Sequence, residues 1–224
     1  MTGTLFVINP NSSAVVTAGI AGAVAPLGRM GAPIECLTLA EGPPGIESQA
    51  QADETVAPML RLAATLEDQA AGFVIACFGD PGVHALRDRT RKPVIGIQEA
   101  AVATALTLGQ RFGIIAILPR SIPRHLRSLG AMGVARAAGG GVARSGVGVA
   151  ELAQPARTEA RLIETGRALR DADGAEVLIL GCAGMARYRA RLEDALGLPV
   201  IDPCQVAVAT ALGRIALGLR HKRS

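Results

Sequence analysis

Short apolar runs alternate along the chain with longer stretches in which apolar and polar residues recur at helical spacing. The apolar runs are Thr4–Ile8, Ile34–Leu39, Gly72–Ala76, Pro93–Ile97, Phe112–Leu118, Glu176–Gly181 and Leu198–Ile201, with a weaker one inside Gly141–Val149. Their nearly continuous hydrophobicity suits parallel strands covered on both faces, because an exposed face would leave every second residue polar. The helical stretches are Ser13–Pro26, Ala52–Ala71, Pro81–Thr90, Glu99–Leu108, Pro123–Met132, Pro155–Ala172, Ala186–Leu196 and Gln205–Leu219. Ser12 and Ser13 offer caps to the first of these, and Pro155 suits a first-turn position. Alternation of this kind predicts an α/β fold built from strand–helix–strand crossovers.

The pattern occurs twice. Pro93–Leu106 reads PVIGIQEAAVATAL and Pro199–Leu212 reads PVIDPCQVAVATAL, nine identities in fourteen positions. Upstream of each, an apolar run ends in a cysteine: FVIAC closes at Cys77 and LILGC at Cys182. The cysteine offset is 182 − 77 = 105 and the proline offset is 199 − 93 = 106. Each half also opens with a strand followed by Pro-x-Ser, at Pro10–Ser12 and Pro119–Ser121. An in-register duplication predicts two pseudo-symmetric lobes, each a four-stranded parallel sheet flanked by helices. The first lobe is expected to comprise residues 1–97 plus 205–224 and the second 98–204, with the active site between them.

Composition narrows the functional classes. Half of the 224 residues are hydrophobic, enough for a substantial core, but aromatics are 2% with no Trp, so Ala, Val, Ile and Leu must build it. The formal net charge of +4 is modest, and with almost no aromatics to stack bases it argues against nucleic-acid binding. The amino terminus has no basic region before an apolar stretch, and no apolar run approaches the length of about 18 residues that spans a bilayer. A soluble cytoplasmic protein, in no contact with membranes, is therefore expected. The four cysteines, Cys36, Cys77, Cys182 and Cys204, include no CxxC pair and read as free thiols.

Cys77 and Cys182 fall at the carboxyl ends of predicted central strands, where open α/β sheets bind ligands. Each precedes a small-residue turn and a helix, whose free N–H groups lower a thiol pKa and can hold a carboxylate, an imide oxygen or a developing enolate. A single such cysteine reads best as a small buried hydrophobe. Two in equivalent places of a repeat read better as a working pair. Cys36, inside a predicted strand, and Cys204, whose counterpart in the first half is Gln98, read as structural. Asn11, in the Asn9-Pro10-Asn11-Ser12-Ser13 turn, suits either helix capping or an amide contact to substrate. Asp80 reads as a helix cap, His84 as a surface or packing residue, and His125 and His221 lack a supporting cluster. No Walker A string, HExxH or GxSxG is present, and Gly146–Glu151 breaks the dinucleotide fingerprint at its last glycine.

The strings INPNSS (8–13), GPPGIES (42–48), VIACFGDPGVHALRD (74–88), PVIGIQEAA (93–101), RFGIIAILPRSIP (111–123), GAEVLILGCAGMA (174–186) and PVID (199–202) closely resemble those of the hydantoin racemases, within the aspartate/glutamate racemase superfamily. The resemblance implies two pseudo-symmetric α/β lobes with the active site between them, a small-molecule substrate and no cofactor; the three scattered histidines argue against a metal site, and the apolar composition suits a homo-oligomer. It implies that Cys77 and Cys182 are the acid/base pair, and that Asn11, Ile46, Phe78, Gly79, Ala183 and Gly184 line the substrate pocket. Ala116 and Ile117 stand where many relatives carry hydroxyl residues, and Pro203-Cys204 follows PVID where a glycine is common. The implied activity is racemisation of 5-monosubstituted hydantoins by two-cysteine proton transfer at C5. Allantoin or an amino acid of the same superfamily is the alternative substrate. A non-catalytic two-lobed binding protein is the alternative of another class. An arylmalonate-decarboxylase-like reaction needs only one of the two cysteines.

Overall fold

The computed structural model describes residues 3–117, 119–138, 142–144 and 155–222. Its residues group into two compact units, Met1–Ala100 with Cys204–Ser224, and Ala101–Pro203. Each unit carries one four-stranded parallel sheet.

In the first unit the strands are β1 (Thr4–Asn9), β2 (Ile34–Thr38), β3 (Ala70–Ile75) and β4 (Val94–Gly96), in the order β2-β1-β3-β4. The interior β1 pairs with both neighbours, Ile8 opposite Leu37 on one side and Ile75 on the other. Leu5, Val7, Val74 and Phe73 are fully buried, so both faces of these strands are covered, as their unbroken hydrophobicity requires. One face packs Phe6, Ile8, Phe73 and Ile75 against Met59, Leu60 and Ala63 of α3 (Val56–Leu66) and Val83 and Leu86 of α4 (Val83–Arg87). Phe6 and Phe73 stack with centroids 6.2 Å apart. Emptying the Phe73 site would cost about 3–5 kcal/mol, the usual range for a large aromatic truncation in a core.

Helix starts in this unit follow side-chain chemistry. Ser13 accepts from the Val16 N–H and caps α1 (Ala14–Val24). Ser48 and Gln51 form a reciprocal capping box on α2 (Gln49–Glu54). The helix expected over Ala52–Ala71 is thus two helices, and its last two residues belong to β3. Alanine's high helix propensity is only a weak prior, and pairing of Thr4 with Ala70 and of Leu5 with Gly72 overrides it, drawing Ala70 and the unpaired Ala71 between them into β3. Helix α5 (Ile97–Ala105) follows β4 and carries the chain onward, and α9 (Pro203–Ala216) returns it.

The second unit repeats the order. Its strands β5 (Phe112–Ala116), β6 (Val142–Arg144), β7 (Val177–Leu180) and β8 (Val200–Ile201) lie as β6-β5-β7-β8. Ile115, Leu178 and Leu180 pack against Leu162 and Leu169 of α7 (Pro155–Asp171) and Leu192 and Leu196 of α8 (Arg189–Leu196). Between β5 and β6 lies α6 (Ile122–Ala131), whose inner face buries His125 and Leu129. The strand expected inside Gly141–Val149 is present over Val142–Arg144; residues 145–149 lie outside the described residues. Among the described residues no helix is long and apolar enough to cross a membrane.

Candidate functional site

In both units the cysteine of interest follows the strand that pairs with the unit's first strand. The Ala76 N–H donates to the Ile8 carbonyl at 2.8 Å, and the Gly181 N–H donates to the Ile115 carbonyl at 2.9 Å. Immediately beyond stand Cys77 and Cys182. Each cysteine carbonyl then accepts from the N–H three residues on, Asp80 at 3.0 Å and Met185 at 3.2 Å. The two halves therefore build the same exit from the same strand position, at the carboxyl edge of a parallel sheet where ligands bind in such folds.

The first turn is tightly specified. Gly79, Asp80 and Gly82 all have positive φ (118°, 50° and 71°), and Asp80 is the one non-glycine residue of this kind among those described. A side chain at Gly82 would meet Met59 and Val56, so the turn is pressed onto α3. Left-handed Asp80 swings its carboxylate onto the start of α5, accepting from the Gln98 N–H at 2.8 Å and the Glu99 N–H at 2.9 Å. Asp80 is therefore a helix cap, but of α5 rather than of the adjacent α4. Although the residue is only half-buried, its carboxyl group lies against backbone, and burial pushes its pKa up to about 7 against the pull of those two N–H groups. Glu99 in turn pairs with Arg87 and accepts from the Gly96 N–H at 3.0 Å, while Arg87 also donates to the Val94 carbonyl.

The neighbouring strand ends complete this edge. Buried Asn9 donates from Nδ2 to Asn11 Oδ1 at 2.9 Å and to Thr17 Oγ1 at 3.0 Å; Asn11 Oδ1 also accepts from the Ser13 N–H at 2.9 Å. Asn11 thus shapes the turn through its oxygen, and among the described residues its Nδ2 donates to no protein group. The loop after β2 is tied to the same turn, since the Ser12 N–H donates to the Pro43 carbonyl at 2.9 Å. Gly42 lies so close to the Pro10 carbonyl that any side chain there would overlap it. Asn11, Ile46, Cys77, Phe78 and Gly79 accordingly follow three adjacent strands, β1, β2 and β3. Ile46 and Phe78 are almost fully buried, whereas Cys77 and Gly79 retain exposure.

In the second unit Cys182 opens a 3-10 turn, Ala183–Tyr188, rather than an α-helix. The Cys182 thiol is pushed up to about 11, chiefly by burial and further by the Asp202 carboxylate, against the Gly184 N–H and the Arg124 guanidinium, which favour the thiolate. The expectation that a helix start lowers this thiol's pKa is thus reversed, because desolvation outweighs one backbone donor and a cation. The side chains that set this environment, Asp202 and Arg124, were not identifiable as a group from sequence: they lie 78 positions apart (202 − 124). Buried His125, pushed down to about 3 by burial and Arg124, is neutral.

The remaining candidates separate cleanly. Cys204 is fully buried and Cys36 is half-buried on edge strand β2, its thiol raised to about 11 by burial and Glu35. His84 is exposed, and His221 accepts from the Val94 N–H at 3.1 Å. Among the described residues no cluster of three or more His, Cys, Asp or Glu side chains could hold a metal ion. A cavity of about 290 Å³ opens where β3 and β4 begin, beside Ala70, Lys92, Pro93 and Leu219; no cysteine lines it.

Residues 5–211 match the Asp/Glu/Hydantoin racemase family. A hydantoin racemase of Paenarthrobacter aurescens is 35% identical over 98% of this chain and 94% of its own, and one of Rhizobium meliloti 36% over 96% and 89%. Allantoin racemase of Pseudomonas fluorescens superposes with a TM-score of 0.89 at 27% identity, over 98% of this chain and 93% of that one. Allantoin racemase of Klebsiella pneumoniae gives 0.86 at 32%, over 99% and 91%. With two matching sheets, two matching cysteine turns and relatives over nearly its whole length, the chain belongs to the Asp/Glu/Hydantoin racemase family and is an isomerase, a racemase of that superfamily.

Proposed function

We propose that the protein racemises 5-monosubstituted hydantoins by two-cysteine proton transfer at C5, without a cofactor. The observation that carries this reading is the equivalent placement of Cys77 and Cys182, each one residue past a strand-to-strand hydrogen bond and each accepting at its carbonyl from the N–H three residues on. The C5–H bond of a hydantoin lies beside the C4 carbonyl. One cysteine, as thiolate, takes the C5 proton and becomes a thiol; the electron pair moves onto the carbonyl oxygen as an enolate. The other cysteine, as thiol, returns a proton to the opposite face of C5 and becomes the thiolate. The pair ends with its roles exchanged, and the reverse reaction uses them in that order.

The raised pKa of Cys182 suits it to begin protonated, as the acid when Cys77 is the base. Its turn supplies the Gly184 N–H, a donor of the kind that stabilises developing negative charge by about 3 kcal/mol in other active sites. Asn11 Nδ2, Ile46, Phe78, Gly79, Ala183 and Gly184 are the proposed substrate contacts. The structural likeness to two allantoin racemases favours a second reading within the same chemistry, since allantoin is the ureido-substituted hydantoin. Single enantiomers of benzyl-, isopropyl- and ureido-substituted hydantoins, followed by polarimetry, test the substrate class. Loss of optical rotation on at least one of them, with amino acids unchanged, is the expected result. Racemisation of amino acids alone would overturn it.

A further inference from the structure

Gln98 is the most deeply buried polar side chain for which the fold offers no use. It is fully buried, and among the described residues neither its Oε1 nor its Nε2 has a hydrogen-bond partner. Buried carboxamides are nearly always paired, because leaving one donor and one acceptor unsatisfied forfeits their hydration. The residue sits at the carboxyl edge that carries Cys77. The β3–β4 register pairs Ile75 with Gly96, the last residues of two adjacent strands, and Cys77 and Gln98 each follow two residues beyond that pair, Gln98 in the first turn of α5. The backbone N–H of Gln98 donates to the Asp80 carboxylate, and the Asp80 N–H donates to the Cys77 carbonyl, so the two backbones are tied to one another through this turn. The repeat-equivalent position is Cys204, which is buried and carries no amide; the group is particular to the first unit.

We infer that Gln98 is a substrate-recognition residue that reads a cis-amide edge, one N–H beside one C=O, on a cyclic ureide. A carboxamide presents one acceptor and two donors, the complement of such an edge. The α-carboxylate of an amino acid offers acceptors only and would leave Gln98 Oε1 unsatisfied. A buried group built to bond a substrate N–H rejects analogues that lack it far more strongly than an apolar pocket rejects a changed shape. The inference deepens the proposed function and rests on it for the ligand class. It adds the residue that separates ureides from amino acids.

Binding of unsubstituted hydantoin and of 1,3-dimethylhydantoin, which has no ring N–H, is measured calorimetrically on the wild type and on Gln98→Met and Gln98→Glu. The wild type is expected to prefer hydantoin by tenfold or more. Gln98→Met loses most of that preference, and it unfolds at the same or a higher temperature because a buried unpaired amide has been removed. Gln98→Glu, which keeps the size and loses the donors, also weakens hydantoin binding. Retention of the full preference by Gln98→Met overturns the inference, as does equal weakening toward both ligands with a lowered unfolding temperature, the mark of a structural role. Failure of the wild type to bind hydantoin contradicts the ureide substrate class itself and takes this inference with it. Hydantoin binding lost in Gln98→Met, in a protein that racemises no hydantoin, would contradict the reaction while leaving the recognition role standing.

Discussion

The carboxylate of Asp80 occupies the space that a side chain on Gly96 would need. In the second half of the repeat the residues at these places are Met185 and Asp202 (80 + 105 and 96 + 106), both almost fully buried. Each unit thus keeps one carboxylate at the end of its fourth strand, supplied by the cysteine turn in one and by the residue directly after the strand in the other. The exchange explains why PVIG and PVID differ at their fourth position: glycine is required where aspartate arrives from elsewhere.

Gly96→Ala should therefore be costly in spite of its small size. Overpacking of this kind destabilises by about 1–3 kcal/mol. Asp80→Gly, which keeps the left-handed backbone without strain, should cancel part of that loss when combined with it. Urea unfolding of the two single variants and the double variant measures the coupling, and additive effects would mean that the two residues do not compete for space.

Asp80 also gives the protein a pH-dependent stability of defined sign. Its folded pKa, about 7, lies above the ordinary carboxylate value of 3.8, so the folded state holds the proton more tightly than the unfolded chain. The stabilisation is fully present below about pH 4 and is lost as pH rises toward 7. The difference in unfolding free energy between the wild type and Asp80→Asn should fall across that window and level off above it. A difference that grows with pH would show a carboxylate stabilised in its charged form.

The Cys182 thiol responds to two charges of opposite sign. Asp202 raises its pKa and Arg124 lowers it. At pH 9, Asp202→Asn should quicken iodoacetamide alkylation of Cys182 and Arg124→Met should slow it, with mass spectrometry of the labelled peptide as readout. The wild-type alkylation rate should still be rising at pH 10, because the thiolate dominates only above about 11. Equal rates in all three proteins would remove both charges from the account.

Much of this was legible in the chain. Parallel strands buried on both faces leave unbroken apolar runs, so β1, β3, β5 and β7 could be placed from hydrophobicity alone, and the duplicated strings foretold two four-stranded parallel sheets, though not their strand order. Local signals failed where tertiary partners decide. Ala70 and Ala71 read as helix until β1 pairs with Ala70 and Gly72 on either side. Asp80 reads as the cap of the helix that follows it, and only a left-handed backbone aims it at α5. The Cys182 pKa could not be read from its turn, because Asp202 and Arg124 reach it from other elements and burial exceeds the effect of a nearby N–H. Gln98 enters the sequence reading only as the counterpart of Cys204; its total burial, without a side-chain partner among the described residues, is visible only in three dimensions.

The central claim is that Cys77 and Cys182 divide one proton transfer between them. Exchange of the C5 proton for deuterium, measured by NMR in heavy water on the separate D and L enantiomers of 5-benzylhydantoin, tests it most directly with Cys77→Ser and Cys182→Ser. The account predicts that each variant loses racemisation by at least a hundredfold, and that any remaining exchange is confined to one enantiomer, opposite in the two variants. Racemisation at the wild-type rate in either variant would contradict it.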